Sequence, residues 1–369
     1  MNENKQKKIC MVIDREHSQS ESQLLIDLAT NLDNDKYLVE ILTTGESWLA
    51  SKLADMKFTV RAFQTSGIGF GRIKKIAQLL TENNYDIVHT FGAEANNFVR
   101  YACAKVGVKI ISSINHIYEI DEKPFYKNLK SNSSKTENST IVFPTETLKN
   151  NFASQSFSAK YKSKVIRVGV DTDLFETNGA ARENARWDLE LYSNQTAVFF
   201  IGELSENSGI GTFLKMASKL LSDEFSPNFF IVGKGPQERL VNRFCMRNRS
   251  SDVKYLGVES SIERYYQAAD ICVVPRKAED SNLEILQALS CEVPVVASRF
   301  PGVEEVIESG KTGLLAPAED PEGFARAVRA LVNNEIMRKV MSENSHEKIV
   351  ENYNISKTIT EYEALYNEE

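Results

Sequence analysis

Cysteine and histidine are scarce in this chain. Its 369 residues include five cysteines and four histidines, and none of them has the spacing typical of metal ligands. We therefore expect buried, reduced thiols and no metal site. The first apolar run, Ile9–Ile13, is too short for the core of a signal peptide, and no run approaches the roughly 18–20 residues needed to cross a bilayer. These absences predict a cytoplasmic protein.

A strong positive charge is also missing. The net charge is −7, which excludes a dedicated nucleic-acid binder, because such proteins are basic. The charge is divided unevenly: residues 1–170 carry a net +5 and residues 171–369 a net −12. With 42% apolar and 26% charged residues, the chain has enough apolar content for sizeable folded cores. A length of 369 residues favours two domains.

Short apolar runs alternate with amphipathic stretches along the whole chain. This alternation predicts parallel sheets covered by helices on both faces. The fold class expected is α/β, with two Rossmann-like doubly wound domains facing a cleft. The expected domains are 1–170 and 171–352, and a C-terminal helix at 353–369 is expected to complete the first. Ten strands are predicted: 9–13, 39–43, 86–91, 108–113, 140–143, 164–168, 197–201, 229–232, 270–274 and 294–297.

Glycines follow several of the predicted strands in the second half. The run Phe199-Phe200-Ile201-Gly202 leads to Gly209 and a helix, and Ile231-Val232 leads to Gly233-Lys234-Gly235. Glycine lets backbone N–H groups approach a ligand, and helix N-termini favour phosphate. Each loop alone is more typical of an ordinary strand-to-helix turn than of a ligand site.

Together these loops resemble those of one family. Residues from about Ala197 to Val332 are similar to the retaining, nucleotide-sugar-dependent glycosyltransferases of family four, described as glycosyl transferases group 1, which have the GT-B fold. The resemblance is strongest at 268–275, 288–298 and 310–315. In the first half, Asp86-Ile87-Val88-His89 and Gly169-Val170-Asp171 resemble the family's "DVVH" and "NGVD" segments.

The resemblance implies a UDP- or GDP-linked sugar as donor, transfer with retention, and no required cofactor or metal. The family's Glu-x7-Glu motif reads Glu279 to Gln287 here. The resemblance implies that Glu279 meets the donor sugar and that Gln287 occupies the position that holds the ribose. The donor-binding candidates are Gly202, Gly209, Lys234, Arg276, Lys277, Gln287 and Gly302. Two cations that hold the donor diphosphate in the family are replaced here by Glu203 and Ser208, so Arg276, Lys277 or Lys234 is a candidate replacement.

The first half supplies the acceptor-side candidates. Glu21 retains the acid of the family's "GGxE" loop without its glycines, His89 lies in the fourth predicted strand, and His116 is a catalytic candidate or a structural residue. The polar, lysine-rich segment 119–138 is either a solvated loop or a peripheral contact with an anionic membrane face.

Two functions remain open. The first is transfer of a sugar to a cell-surface glycan or lipid-linked acceptor, by a cytoplasmic protein at the inner face of the membrane. The second is a catalytically inactive relative that serves as a partner or targeting subunit of an active glycosyltransferase. Four departures from the family, at Glu203, Ser208, Gln287 and the missing glycine pair before Glu21, affect donor-handling positions, as the second function would produce. The retained Glu279 agrees with the first.

Overall fold

The computed structural model describes residues 6–14, 18–45, 47–63, 70–115, 138–154, 158, 161–222, 226–248, 252–258 and 261–368. The chain divides into two compact units. The first unit comprises Met1–Val168 with Thr358–Glu369, and the second comprises Gly169–Lys357. The division falls after Val168, close to the boundary between residues 170 and 171 that the sequence suggested. The polar stretch 171–193 follows it. Part of that stretch forms the helix Gly179–Asp188.

The first unit contains a parallel seven-stranded sheet in the order β3-β2-β1-β4-β5-β6-β7. The strands are β1 Lys7–Ile13, β2 Tyr37–Thr43, β3 Thr59–Ala62, β4 Ile87–Phe91, β5 Lys109–Ser113, β6 Ser139–Phe143 and β7 Lys162–Val165. The described helices of this unit are Gln19–Asn31, Trp48–Asp55, Phe70–Asn83, Ala93–Val106 and Glu146–Ala153, with most of Ile355–Asn367.

The second unit contains a parallel six-stranded sheet in the order β10-β9-β8-β11-β12-β13. The strands are β8 Ala197–Ile201, β9 Asn228–Val232, β10 Val253–Gly257, β11 Ile271–Val274, β12 Val295–Ser298 and β13 Gly313–Ala316. The described helices are Gly179–Asp188, Ile210–Leu220, Glu238–Asn248, Glu263–Ala268, Leu283–Ser290, Pro301–Glu304, Pro321–Val332 and Glu335–Tyr353.

Both faces of the second sheet are buried, which explains the continuous apolar strands. Along β8, successive side chains point to opposite faces. Phe199 stacks on Phe230 on one face, with ring centroids 4.7 Å apart, whereas Phe200 packs against Phe213 on the other. The predicted α/β class with two Rossmann-like parallel-sheet domains is confirmed.

The sequence predictions fail mainly at the sheet edges. The strands β3, β10 and β13 were not predicted, and β7 begins two residues earlier than expected and ends at Val165. All four are edge strands. Edge strands are half exposed, so they lack the apolar runs by which the inner strands were recognised.

The chain end returns to the first unit. The helix Glu335–Tyr353 ends at Asn354, whose backbone is extended and pairs with Val170, and the last helix begins at Ile355. After this break, Tyr362 and Tyr366 of the last helix are buried. Lysines from the first unit surround the carboxyl end of that helix: Lys7 Nζ donates to the Tyr366 carbonyl oxygen at 3.2 Å, and Lys109 Nζ to that of Leu365 at 2.8 Å. Cations at this end complement the helix dipole.

Candidate functional site

The glycine turns after β8 and β9 fit closely against neighbouring backbone. Gly209 has φ +75°, and a β-carbon there would overlap the Pro275 carbonyl oxygen. A β-carbon on Gly233 would overlap the carbonyl oxygen of Gly202 in the same way. Packing within the protein therefore requires these glycines, independently of any ligand. Gly209 is also the residue from which the Ile210–Leu220 helix begins, so this helix N-terminus lies in the loop predicted to meet the donor.

The residues that replace the family's cations differ in exposure. Glu203 is exposed. Ser208 is buried and donates its hydroxyl to the Ser205 carbonyl oxygen at 2.8 Å. Lys234 is exposed in the turn after β9, and its carbonyl oxygen accepts from Leu204 N at 2.9 Å. The structure therefore gives Lys234 a defined backbone position and leaves its side chain at the surface.

The backbone of Arg276 lies against the glycine turn after β8. This residue follows β11, and its backbone nitrogen lies 3.3 Å from where a β-carbon on Gly209 would stand. Its guanidinium forms ion pairs with Asp280 and with Glu284, the latter at 2.5 Å between Nη2 and Oε1. Both carboxylates are buried, whereas the Arg276 side chain is about one-fifth exposed, at 19%.

Lys277 points toward a different set of partners. Its Nζ lies 2.9 Å from Glu319 Oε1 and 3.2 Å from Glu206 Oε1, and both of these carboxylates are mostly exposed. Hydrogen bonds to Glu319 and Glu206 raise the pKa of Lys277, so this side chain stays charged. Its backbone nitrogen donates to the Asn207 carbonyl oxygen at 2.9 Å, which ties the loop after β11 to the loop after β8.

Glu279 is buried at the start of the segment that leads into the Leu283–Ser290 helix. Its Oε1 accepts from Gly302 N at 2.9 Å, and the Gly302 carbonyl oxygen accepts from Asn282 Nδ2 at 2.9 Å. The segment 279–284 and the turn at Gly302 are therefore fixed to each other. Burial raises the pKa of the Glu279 carboxyl, and the hydrogen bond from Gly302 N opposes part of that shift.

Three buried polar atoms in this segment have no hydrogen-bond partner among the described residues. They are Glu279 Oε2, Ser281 Oγ and Glu284 Oε2. A buried polar group without a partner costs about 1–3 kcal/mol, so native structures contain few of them. All three atoms lie within the six consecutive residues 279–284.

Gln287 lies deeper than the sequence suggested. It is 1% exposed, and its Oε1 accepts from the Tyr266 hydroxyl at 3.0 Å. The structure thus gives the side chain of this predicted ribose-binding residue a partner inside the core. Glu284, in contrast, was not among the predicted residues. Its sequence signal is a single acid in the apolar run Leu283–Leu289.

In the first unit, Glu21 is used by its own helix. Its Oε2 accepts from Ser18 N at 2.7 Å, and its backbone nitrogen donates to Ser18 Oγ at 3.2 Å, which is a capping box. Capping of the Gln19–Asn31 helix therefore accounts for the acid at position 21, and no contact with an acceptor substrate is needed to explain it. Asp14, at the end of β1, caps a second helix, because its Oδ1 accepts from Ala95 N at 2.6 Å.

His89 has a packing role in place of the suggested acceptor-side role. It is fully buried, with Nδ1 2.7 Å from the Tyr366 hydroxyl and Nε2 2.8 Å from Ser113 Oγ. Burial lowers the pKa of His89 to about 3, so the ring is neutral. The catalytic candidate His116 lies outside the described residues, as does the predicted membrane contact 119–138 except for Asn138.

In the described part of the chain, no three His, Cys, Asp or Glu side chains are grouped so that they could hold a metal ion. Within the same ranges, every helix is too short or too polar to cross a bilayer.

Known proteins resemble both units. Residues 195–334 match the family model of glycosyl transferases group 1, and residues 22–174 match that of Glycosyltransferase Family 4. An uncharacterized glycosyltransferase of Methanocaldococcus jannaschii is 30% identical over 122 residues, which are 32% of this chain and 35% of that protein. The match thus spans about a third of that relative's length.

Longer matches cover most of the chain. The UDP-Gal:alpha-D-GlcNAc-diphosphoundecaprenol alpha-1,3-galactosyltransferase of Escherichia coli is 26% identical over 302 residues, 78% of this chain and 77% of that enzyme. The crystal structure of HepE from Anabaena, solved with UDP, superposes with a TM-score of 0.82 at 18% identity and covers 97% of this chain and 98% of its own. With both sheets and both family models in agreement, this chain belongs to the group 1 glycosyltransferases of family four, which have the GT-B fold.

Proposed function

We propose that this protein transfers a hexose, with retention, from a nucleotide-sugar donor to a glycan or lipid-linked acceptor. The observation that carries the proposal is the segment 279–284, where three buried polar atoms have no partner among the described residues. Two of them are carboxylate oxygens, which accept hydrogen bonds from hydroxyl groups. A sugar offers several hydroxyls, and the resemblance implies that Glu279 meets the donor sugar.

The relatives favour UDP as the nucleotide. HepE was crystallised with UDP, with UDP and glucose, and with UDP-glucose, and the Escherichia coli enzyme is named for a UDP-Gal donor. That enzyme is also named for an acceptor linked to diphosphoundecaprenol. We therefore favour a UDP-hexose donor and a lipid-linked acceptor, with the protein acting at the inner face of the membrane. In this proposal, the segment 119–138 contacts the membrane surface.

In this mechanism, the residues bind and orient the donor, and no residue forms a covalent bond with the sugar. Glu279 Oε2 accepts a hydrogen bond from a donor hydroxyl, while Oε1 stays bound to Gly302 N. The start of the Ile210–Leu220 helix favours negative charge that develops on the departing diphosphate. The acceptor hydroxyl attacks from the side on which the diphosphate leaves and passes its proton to the departing diphosphate. The new glycosidic bond forms on the same face as the bond that breaks, which gives retention.

The variant Glu279→Gln tests the role of this carboxylate. Gln keeps an oxygen for Gly302 N but loses the charge, and we expect turnover of a UDP-hexose to fall about a hundredfold. Because burial raises the pKa of Glu279, the ionised form is costly in the fold at neutral pH, so the melting temperature is expected to stay the same or rise.

The control is Glu322→Gln, which removes an exposed carboxylate paired with Lys219 and is expected to leave turnover unchanged. Donor hydrolysis and sugar transfer are both measured. Full turnover by Glu279→Gln would show that Glu279 has no part in the reaction.

The structure also contains an observation that favours the inactive relative. Arg276 is held by two carboxylates, and Glu203 and Ser208 occupy the positions of the two cations expected from the family. In that alternative, the protein would be a partner of an active glycosyltransferase. Titration of the full chain with UDP separates the two functions. Absence of binding at millimolar UDP together with absence of turnover would favour the inactive relative.

A further inference from the structure

Arg276 lies beside the glycine loop that follows β8, with its backbone at one end of the loop and the carboxylate partner of its guanidinium at the other. At one end of this loop, a β-carbon on Gly209 would stand 3.3 Å from Arg276 N. At the other end, a β-carbon on Gly202 would stand 3.5 Å from Glu284 Oε1, the atom that lies 2.5 Å from Arg276 Nη2. The loop after β11 therefore brings a cation to the loop that carries Glu203 and Ser208.

Glu284 is an unusual residue for its position. It lies in the first turn of the Leu283–Ser290 helix, is 5% exposed, and has apolar neighbours in sequence. One of its oxygens binds Arg276, and the other has no partner among the described residues. A buried carboxylate is costly to keep in a fold unless it is paired, so the pair with Arg276 is what makes this charge tolerable.

We infer that Glu284 competes with the donor diphosphate for Arg276 and thereby sets how tightly the site binds an anion. Arg276, Asp280 and Glu284 together carry one positive and two negative charges, so an incoming anion meets a net negative group. The inference rests on the proposed function only in placing the diphosphate at this loop. It adds that Arg276 is the cation that binds it and that Glu284 limits this binding.

Neutralising Glu284 should therefore strengthen anion binding. Glu284→Gln keeps the size of the side chain and removes one negative charge a few ångströms from the guanidinium. Because the Arg276 side chain is partly exposed, the effective dielectric constant lies between about 20 and the value of water, about 80. At a value of about 60, one charge roughly 4 Å away changes an affinity about tenfold. We expect the Kd of the full-length protein for UDP and for inorganic pyrophosphate, measured by calorimetry, to fall by about that factor.

A double-mutant cycle tests whether the effect passes through Arg276. Arg276→Gln should weaken binding of both ligands, and in that background Glu284→Gln should change the Kd less than twofold. An undiminished gain in the Arg276→Gln background would overturn the inference, because Glu284 would then act as an independent charge. Unchanged or weaker binding by Glu284→Gln alone would overturn it as well.

Two further variants serve as controls. Glu206→Gln removes an exposed carboxylate from the loop after β8 and is expected to change the Kd less than twofold. If Glu284→Gln does not yield folded protein, Asp280→Asn provides the same test, because Asp280 also pairs with Arg276.

Measuring turnover beside binding separates this inference from the proposed function. Tighter pyrophosphate binding without sugar transfer would support the inference alone, whereas sugar transfer with no gain in Glu284→Gln would support the function alone.

Discussion

His89 illustrates at the scale of one residue how burial decides what a side chain does. The ring is enclosed by Phe91, Tyr362 and Tyr366, and Tyr366 and Ser113 occupy its two nitrogens. A charged imidazolium would have to leave water without a carboxylate partner among the described residues, so the neutral form is strongly favoured. The residue that the sequence placed near an acceptor instead joins the sheet to the last helix.

This environment predicts a pH dependence of stability. The pKa of His89 is about 3 in the fold, against an ordinary value of 6.5 in the unfolded chain. The neutral ring therefore makes its full contribution to the free energy of unfolding above pH 6.5. This contribution is lost as the pH falls toward 3, by about 1.4 kcal/mol per pH unit. His89→Gln removes this proton uptake, so urea unfolding between pH 7 and 4.5 should show a smaller loss of stability than in the parent chain. Equal slopes for the two proteins would contradict the buried, neutral state.

At the candidate site, some residues could be recognised from the sequence and others could not. Glu279 could be singled out because the spacing from Glu279 to Gln287 resembles a family motif, and in the structure its buried Oε2 has no partner among the described residues. The pairing of Arg276 with Glu284 could not be predicted, since it depends on which way one side chain turns from its loop. The burial of the Gln287 side chain could not be predicted either, because it depends on a hydrogen bond from Tyr266, a residue distant in sequence.

At the scale of elements, the start of the Ile210–Leu220 helix depends on one glycine. Gly209 has φ +75°, and a β-carbon there would overlap a carbonyl oxygen of the loop after β11. We expect Gly209→Ala to lower the free energy of unfolding by about 2–4 kcal/mol, because both the backbone conformation and the packing are incompatible with a side chain.

Gly211 provides a matched control two residues along the same helix. No atom lies within 4 Å of the position that its β-carbon would take. Gly211→Ala should therefore stabilise the helix, by about 0.5–1 kcal/mol. Both free energies are measured by chemical denaturation. Equal effects of the two substitutions would show that the loop contact with Pro275 is not the reason for Gly209.

Inner and edge elements differ in how well their sequence predicts them. The inner strands β1, β4, β8 and β11 were recognised because both of their faces are buried, which requires consecutive apolar residues. The edge strand β3 reads Thr59-Val60-Arg61-Ala62 and is largely exposed, so its sequence resembles that of a loop. Its strand conformation comes from pairing with β2.

At the scale of the whole molecule, the last helix should determine the stability of the first unit alone. Deletion of residues 358–369 removes the buried side chains of Tyr362, Leu365 and Tyr366. Each such side chain contributes about 1.5–3 kcal/mol by burial, and the sum approaches the total stability of a typical domain. Hydrogen exchange should therefore accelerate in β1, β4 and β5 and remain slow in β8, β9 and β11. Equal acceleration in both sheets would contradict this assignment of the helix.

The contrast in charge between the two halves of the sequence has a partial structural explanation. Lys7, Lys109 and Lys164 contact the carboxyl end of the last helix, where they bind carbonyl oxygens or the Glu368 carboxylate. These lysines serve the fold of the first unit. The sequence alone could not separate them from lysines available to a membrane or acceptor, since both kinds are isolated cations in a polar context.

The return of the last helix also has a consequence for biosynthesis. The second unit ends at Lys357, so all of its residues are made before the first unit receives Tyr362 and Tyr366. Roughly 200 residues separate Val168 from Tyr366, and at about 5–20 residues per second the ribosome needs on the order of 10–40 seconds to make them. For that time His89 lacks the tyrosines whose rings pack against it in the fold. The unit that is begun first is therefore the last to be completed, and the groups around His89 wait longest for their partners during translation.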